Sequence, residues 1–534
     1  MQRRDFLKSG SLAGLAFGSA GISGYRHREL SISSGQDTFP FLEATIPDLQ
    51  AAMKSGKLSS KSLTEAYLGR IREIDQQGPT LRAVIEINPD AVKIAEEMDR
   101  ERAAGILRGP MHGIPILVKD NIDTADQMMT TAGSIALMGH RASKDAFVVQ
   151  QLRKAGAVIL GKTNLSEWAN FRSSRSSSGW SSRGGQTRNP YVLNRNPSGS
   201  SSGSGVSVSA NLCVVAVGTE TDGSVIAPAS CNGIVGLKPT VGLVSRAGII
   251  PISASQDTAG PMARTVHDAA ILLGAMTGAD EQDPVTLQSK GKAQPDYTVF
   301  LKDSSLRGKR VGVEKRFLRG HEGVVGLYQE AMEKMKQAGA EIVEIELLKM
   351  TSVIGANEYN VLLYEFKDGL NAYFASHKTP IHSLEELIRF NKEHADKAMP
   401  WFRQETLENA QAKGGLDSQE YRDAVAKTKG VGKIIDDLML QNRLDVIAGV
   451  SIGVPGCTDW INGDYSTGFY FCPPAAMAGY PHITVPMGHV HGLPVGLSMM
   501  SGAYTEGPLL GMAYAYEQVS RKRIAPGFKA EPGQ

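Results

Sequence analysis

Two serine-containing loops, separated by a short apolar stretch, constrain this chain more than any other feature. The first loop, residues 196–205, reads Asn-Pro-Ser-Gly-Ser-Ser-Ser-Gly-Ser-Gly, and the second, residues 218–224, reads Gly-Thr-Glu-Thr-Asp-Gly-Ser. The apolar residues 206–217 between them predict a buried helix that crosses beneath the loops. Both loops can therefore present hydroxyl groups to one point, which favours a serine hydrolase that works without histidine.

Strand and helix patterns alternate along the rest of the chain. Residues 113–119 are an apolar run that ends in Lys119, which predicts a buried strand with the lysine at its exit, and residues 147–160 predict a helix and then a strand. This alternation is typical of an α/β fold. We expect one domain over residues 40–528, in which the polar, helical residues 350–445 form an insertion or cap.

Composition excludes several classes of partner. The chain has 534 residues, 57 Lys and Arg against 55 Asp and Glu, and a formal net charge of +2. Such a balance provides no strong field for nucleic acid, so a small molecule or a peptide is the expected ligand. The four cysteines, Cys213, Cys231, Cys457 and Cys472, have no metal-ligand spacing. We therefore expect no metal site, while a disulfide stays open for an exported protein.

The amino terminus resembles a twin-arginine export signal, which we assign to residues 1–28. Arg3 and Arg4 are followed by Phe-Leu-Lys and then by the weakly apolar residues 11–20. That run is too short and too rich in glycine and serine to span a membrane stably. The sequence therefore predicts contact with the twin-arginine export machinery, a periplasmic or secreted location and no stable membrane anchor.

A serine hydroxyl needs a nearby base that is neutral when the reaction begins. Lys119 can be that base because burial disfavours its charged form, and Ser200 or Ser201 can relay the proton to it. We expect Ser224 to be the nucleophile. The glycine before it permits a turn with outward N–H groups, so an oxyanion hole is expected from the backbone amides of Thr221, Asp222, Gly223 and Ser224.

A rival interpretation makes Ser201 the nucleophile. Residues 199–203 match the Gly-x-Ser-x-Gly nucleophile elbow, which requires a strand before it and a helix after it. The preceding residues Arg-Asn-Pro-Ser do not form a strand pattern, and the downstream His482, His489 and His491 are at most candidates for a triad histidine. Phosphate-binding glycine motifs are absent as well.

Taken together, the motifs of this chain resemble the amidase signature family. They are Gly-Ile-Pro-x-x-x-Lys-Asp-Asn at 113–121, Gly-Trp-Ser-x-Arg-Gly-Gly-Gln at 179–186, the serine loop, Gly-Ser at 223–224 and Gly-Leu-Lys-Pro-Thr at 236–240. The resemblance implies a Ser-cisSer-Lys triad of Ser224, Ser200 and Lys119, with Ser201 as a neighbour that contacts the lysine. It also implies a single domain, a mixed β-sheet sandwiched by helices, and no cofactor.

Three positions depart from the common family pattern: Ser198, Ser202 and Asp222 replace glycines. The second loop and the Phe-Arg-Ser at 171–173 resemble a bacterial branch of the family that removes the C-terminal amide of peptides as ammonia. The alternatives are an amidase of small aryl or aliphatic amides, one chain of a tRNA-dependent amidotransferase, and a non-catalytic peptide-binding module. We expect residues 350–470 and the loop at 128–134 to select the substrate.

Overall fold

The computed structural model describes residues 37–532, so the export signal assigned to residues 1–28 lies outside the described residues. Phe41–Gln534 form one compact unit. Within the described part of the chain, no helix is both long and apolar enough to cross a membrane.

A single large sheet forms the centre of this unit. Thirteen strands are present in the described residues: β1 (Val84–Ile87), β2 (Pro115–Lys119), β3 (Val158–Thr163), β4 (Trp180–Ser181), β5 (Gly185–Gln186), β6 (Val215–Glu220), β7 (Val235–Lys238), β8 (Thr258–Ala263), β9 (Arg310–Glu314), β10 (Glu341–Ile345), β11 (Val446–Val450), β12 (His482–Val490) and β13 (Leu493–Met500). Eleven of them make one sheet in the order β1-β3-β2-β6-β8-β7-β12-β13-β11-β9-β10, and β4 pairs only with β5. Parallel and antiparallel pairs both occur, so the predicted mixed sheet is confirmed.

Helices flank this sheet, and its strands β2, β3, β6 and β8 are buried along their whole length. Strands buried on both faces require helical cover on both sides. The α-helices are α1 (Ile46–Lys54), α2 (Ser60–Arg70), α3 (Ala91–Ala103), α4 (Phe147–Lys154), α5 (Ser202–Ser209), α6 (Ile226–Cys231), α7 (Val266–Met276), α8 (Glu322–Gln337), α9 (Leu347–Thr351), α10 (Gly355–Ser376), α11 (Leu384–Glu393), α12 (Ala395–Ala398), α13 (Glu405–Gln411), α14 (Gln419–Asn442), α15 (Pro473–Ala478) and α16 (Glu506–Ser520).

The prediction of one helix over residues 206–217 was wrong. Helix α5 begins inside the serine loop and ends at Ser209, and strand β6 begins at Val215. Asn211 has a φ of 57°, the left-handed conformation that commonly ends a helix. The valines that follow then pair with β2 and β8 in the middle of the sheet. An apolar run of this length does not by itself distinguish a buried helix from a buried strand.

The stretch between β10 and β11, which is fully described, contains six α-helices and no strand. Its apolar side chains, including Phe366 and Phe374 of α10, share one buried cluster with Trp168 and Phe171. The rings of Phe171 and Phe366 lie 5.1 Å apart. The helical stretch therefore packs directly on the segment at 168–171, which borders the same cavity as Ser224.

Candidate active site

Strand β2 delivers Lys119 to the centre of the site. Its side chain is completely buried, and Nζ lies 2.8 Å from Ser200 Oγ, 3.0 Å from Ser201 Oγ and 2.9 Å from Thr219 Oγ1. Burial lowers the pKa of Lys119 to about 7, although the charges of Asp257 and Glu220 oppose this shift. A lysine with such a pKa is partly neutral near neutral pH and can accept a proton.

The hydrogen bonds of Ser200 and Ser201 differ in a way that bears on proton transfer. Ser201 Oγ donates to the carbonyl of Thr219 at 3.0 Å and accepts from the Thr219 N–H at 3.1 Å. Within the described part of the chain, Ser200 Oγ bonds only to Lys119. In the described residues, no acceptor other than Lys119 therefore competes for the hydroxyl proton of Ser200, whereas that of Ser201 is donated to the Thr219 carbonyl. The Gly199–Ser200 peptide bond is cis, at the position where the resemblance implies a cis serine.

Ser224 is held against the first loop, because the Ser201 N–H donates to the Ser224 carbonyl at 3.0 Å. It borders a cavity of about 270 Å³, which we call the nucleophile cavity. The walls are mixed: the apolar residues are Ala169, Phe171, Ala227, Ile252, Leu362 and Ile452, and the polar residues include Ser178, Asp464 and Tyr470. In residues 37–532 the Ser224 hydroxyl has no hydrogen-bond partner, and such catalytic contacts often tighten only when substrate binds.

The turn before Ser224 requires a glycine. Gly223 has a φ of 76°, and a Cβ at this position would clash with Tyr470 Oη. The Glu220 carboxylate fixes the far side of the turn by accepting the N–H groups of Val225 and Ile226 at 2.7 and 2.9 Å. Thr221 and Asp222 also border the nucleophile cavity, so the turn predicted to form the oxyanion hole lies beside Ser224.

Distant residues that the sequence did not single out support this turn. Tyr470 Oη donates to the Asp222 carbonyl at 3.2 Å, and Gln256 Nε2 donates to the Thr221 carbonyl at 3.3 Å and to Glu358 at 2.9 Å. Burial and the nearby Glu358 raise the pKa of Asp222 well above its usual range, and burial raises that of Glu358 to about 7. No local pattern marks these partners, because they reach the turn from remote parts of the chain.

Thr219 also contacts Lys119, and it was not predicted as a site residue although it lies in the second serine loop. Its Oγ1 accepts hydrogen bonds from Lys119 and, at 3.0 Å, from Asn121 Nδ2. A threonine one residue after the glycine that opens the loop could have been recognised as a candidate lysine partner. Thr219 and Asn121 together fix the position of the lysine nitrogen.

The loop at 128–134 does not border the nucleophile cavity, which corrects its expected role in substrate selection. It instead holds the buried carboxylate of Asp120, which accepts from the Thr131 hydroxyl and, at 3.1 Å, from the Gly133 N–H. This loop therefore supports the end of β2. Residues 350–470 do reach the cavity, through Leu362 and Tyr470 among others.

The nucleophile-elbow interpretation also fails. Ser201 precedes α5, but the chain before it forms no strand. His482 is buried with its Nε2 2.6 Å from Ser498 Oγ, and burial lowers its pKa to about 3. His489 lies against Tyr191 instead.

The four cysteines are free.

Known proteins resemble this chain over most of its length. The family model described as Amidase matches residues 62–510. A probable amidase of Arabidopsis thaliana is 42% identical over 505 residues, covering 92% of this chain and 93% of that protein. The native peptide amidase from Stenotrophomonas maltophilia has 51% identity and a TM-score of 0.87, covering 92% of this chain and 99% of the other. A glutamyl-tRNA(Gln) amidotransferase chain of Halorhodospira halophila is 34% identical over 511 residues, with coverages of 91% and 100%.

The fold and the matched residues define an enzyme that hydrolyses carboxamides. This chain belongs to the amidase signature family. Its 11-stranded mixed sheet is that of the peptide amidase structures, including the complex of peptide amidase PAM with the competitive inhibitor chymostatin, to which it aligns with a TM-score of 0.89.

Proposed function

We propose that this protein hydrolyses the C-terminal carboxamide of peptides to a free acid and ammonia, through an acyl-enzyme on Ser224. The observation that carries the proposal is the buried contact of Lys119 with Ser200 beside the nucleophile cavity. The 51% identity with peptide amidase from Stenotrophomonas maltophilia supports a peptide amide as substrate.

In the proposed reaction, Ser224 Oγ attacks the amide carbon while its proton passes to Ser200 Oγ. Ser200 gives its own proton to the neutral amine of Lys119. The backbone N–H groups of Thr221, Asp222 and Gly223 stabilise the oxyanion, and removing one such donor costs about 3 to 4 kcal/mol. The proton then returns through Ser200 to the departing nitrogen, and ammonia leaves. Water attacks the ester by the same relay and releases the acid.

The shape of the site favours peptides over small amides. A second cavity, of about 320 Å³, adjoins the site at Tyr470, which borders both spaces. Apolar side chains, among them Phe171 and Ile252, form part of the wall of the nucleophile cavity. An amide with an extended acyl part can therefore make contacts beyond the reacting group, and those contacts add to the binding energy.

A substrate panel tests this proposal. Ammonia release is measured with peptide amides, the matching free-acid peptides, and small aryl and aliphatic amides. We expect turnover of peptide amides with the highest kcat/KM and none of the free acids. Preference for small amides would favour an amidase of small aryl or aliphatic amides. A lack of turnover with every amide would favour a non-catalytic peptide-binding module.

The amidotransferase alternative rests on relatives such as that of Halorhodospira halophila. An amidotransferase chain of this kind needs partner chains, whereas the proposed hydrolase acts alone. We therefore expect the purified single chain to release ammonia from peptide amides. Co-purification of partner proteins, with activity only in their presence, would reverse this assignment.

We further propose export by the twin-arginine route to the periplasm or the medium. The support is the sequence of residues 2–20, with Arg3 and Arg4 ahead of the weakly apolar run. Replacing both arginines by lysine in the full chain is expected to keep the protein in the cytoplasm. Cell fractionation measures this, and unchanged export of the double variant would contradict the proposal.

A further inference from the structure

Two partly exposed tryptophans stack against each other at the protein surface. The rings of Trp401 and Trp460 have centroids 4.9 Å apart and an interplanar angle of 24°, yet the side chains are 43% and 39% exposed. Trp401 lies between α12 and α13, and Trp460 lies between β11 and α15. Large aromatic side chains normally bury most of their surface. Two segments that are distant in sequence thus place a wide aromatic surface on the outside of the protein.

The exposed apolar surface extends beyond this pair. Ile461 and Tyr465, from the same loop as Trp460, are 72% and 55% exposed. We call Trp401, Trp460, Ile461 and Tyr465 the aromatic rim. Contiguous exposed apolar groups of this kind commonly mark binding sites.

The aromatic rim is linked to the wall of the nucleophile cavity through Gln186. Trp460 Nε1 donates to Gln186 Oε1 at 2.9 Å, and Gln186 Nε2 donates to the carbonyl of Ser178 at 2.8 Å. Ser178 borders the cavity, as does Asp464, whose carboxylate accepts the Ser178 N–H at 3.0 Å. Along this path, only the side chain of Gln186 separates Trp460 from the cavity wall.

We propose that the aromatic rim binds an aromatic or large apolar side chain of the peptide substrate, a few residues before the C-terminal amide. This inference rests on the proposed function. An extended peptide advances about 3.3 Å per residue, so a substrate of several residues whose amide lies at Ser224 extends beyond the nucleophile cavity. Stacked aromatic pairs are favourable beyond their buried area, and tryptophans are enriched among residues that dominate binding energy.

The test uses amidated dipeptides and amidated five-residue peptides, with alanine or phenylalanine at each position before the C-terminal residue. In the wild-type protein, we expect phenylalanine at one upstream position to lower KM about fivefold to tenfold relative to alanine. The variant Trp401→Ala is expected to remove this gain. It should leave kcat, and all kinetics of the dipeptide amides, unchanged.

Two further variants control for structural effects. Leu440→Ala removes another highly exposed apolar side chain, 78% exposed on α14, and is expected to change nothing. Trp460→Phe keeps an aromatic ring and is expected to retain part of the gain. If Trp401→Ala lowers kcat/KM equally for the dipeptide and the five-residue amides, the tryptophan pair only joins two segments of the protein.

The outcomes also separate this inference from the proposed function. If the wild-type protein releases ammonia from peptide amides but KM is insensitive to phenylalanine at every position, only the aromatic-rim proposal is wrong. If it releases ammonia from no peptide amide of either length, the proposed function is wrong and the aromatic-rim proposal falls with it.

Discussion

Lys119 Nζ lies 2.8 Å from Ser200 Oγ, at the end of a strand that is buried along its entire length. The same nitrogen contacts Thr219 Oγ1, while Ser200 keeps its own proton free of other protein acceptors in the described residues. The buried lysine thus contacts a hydroxyl whose proton is available. The loop that carries this hydroxyl borders the same cavity as Ser224. Each step of this arrangement can be tested separately.

Replacing the lysine tests the base. Lys119→Met is expected to lower kcat by about 10²- to 10⁴-fold, the usual contribution of a general acid–base group. Lys162→Met is the matched control, because Lys162 is an equally buried lysine of the neighbouring strand β3 that bonds to the Ile122 carbonyl instead. Ammonia release by both variants measures the effect, and circular dichroism checks their folding. Equal activity in the two variants would contradict a lysine base.

The two serines of the first loop should differ in their effects. Ser200→Ala removes the hydroxyl that is free to relay a proton, so we expect a fall in kcat of about 10²-fold or more. Ser201→Ala removes contacts that join the lysine and Thr219, so it should lower the thermal unfolding temperature and reduce kcat less. A larger kcat loss for Ser201→Ala would exchange the two assigned roles.

Activity is expected to fall as the pH drops below about 7, the pKa of Lys119. The sign follows from the chemistry, because the protonated lysine cannot accept the proton of Ser200, whereas the neutral form above this pKa can. Glu358 titrates in the same range, with a pKa raised to about 7 by burial. Profiles of kcat/KM against pH for the wild-type protein and Glu358→Gln separate the two groups. If the fall in kcat/KM at low pH disappears in Glu358→Gln, this fall is due to the Glu358 carboxyl group and not to the lysine.

Gly223→Ala is expected to abolish most activity, because its Cβ would clash with Tyr470 Oη and its φ of 76° disfavours alanine. Gly56→Ala is the control, since Gly56 has a φ of 74° but no neighbour within 4 Å of an added Cβ. Left-handed backbone costs about 1 to 2 kcal/mol for alanine, so both variants should lose similar stability from this cause. Only Gly223→Ala should lose activity, as measured by ammonia release. Comparable activity in the two variants would show that the turn tolerates movement.

Removing the tyrosine hydroxyl tests how firmly the turn must be held. Tyr470→Phe deletes the donor to the Asp222 carbonyl while keeping the ring against Gly223. We expect kcat to fall by about tenfold or less, since no direct contact with the oxyanion is lost. KM for small amides should change little. An unaltered kcat would indicate that Gln256 and Glu220 hold the turn without the tyrosine.

The sequence by itself determined the local elements and the family. The apolar run that ends in Lys119 predicted β2, the pattern at 147–160 predicted a helix and a strand, and the ordered motifs identified the amidase signature. These signals are local, because strand burial, helix ends and glycine turns depend on neighbouring residues. The boundary between α5 and β6 was missed because an apolar run suits either element.

Only the tertiary structure decided which groups surround Lys119, Ser200 and Ser224. Tyr470, Gln256 and Glu358 reach the turn before Ser224 from remote segments, and Trp401 meets Trp460 across two such segments. The different hydrogen bonds of Ser200 and Ser201 likewise depend on how β6 places Thr219 beside the first loop. Side-chain contacts between distant segments follow from sheet order and packing, which no periodicity within a segment encodes.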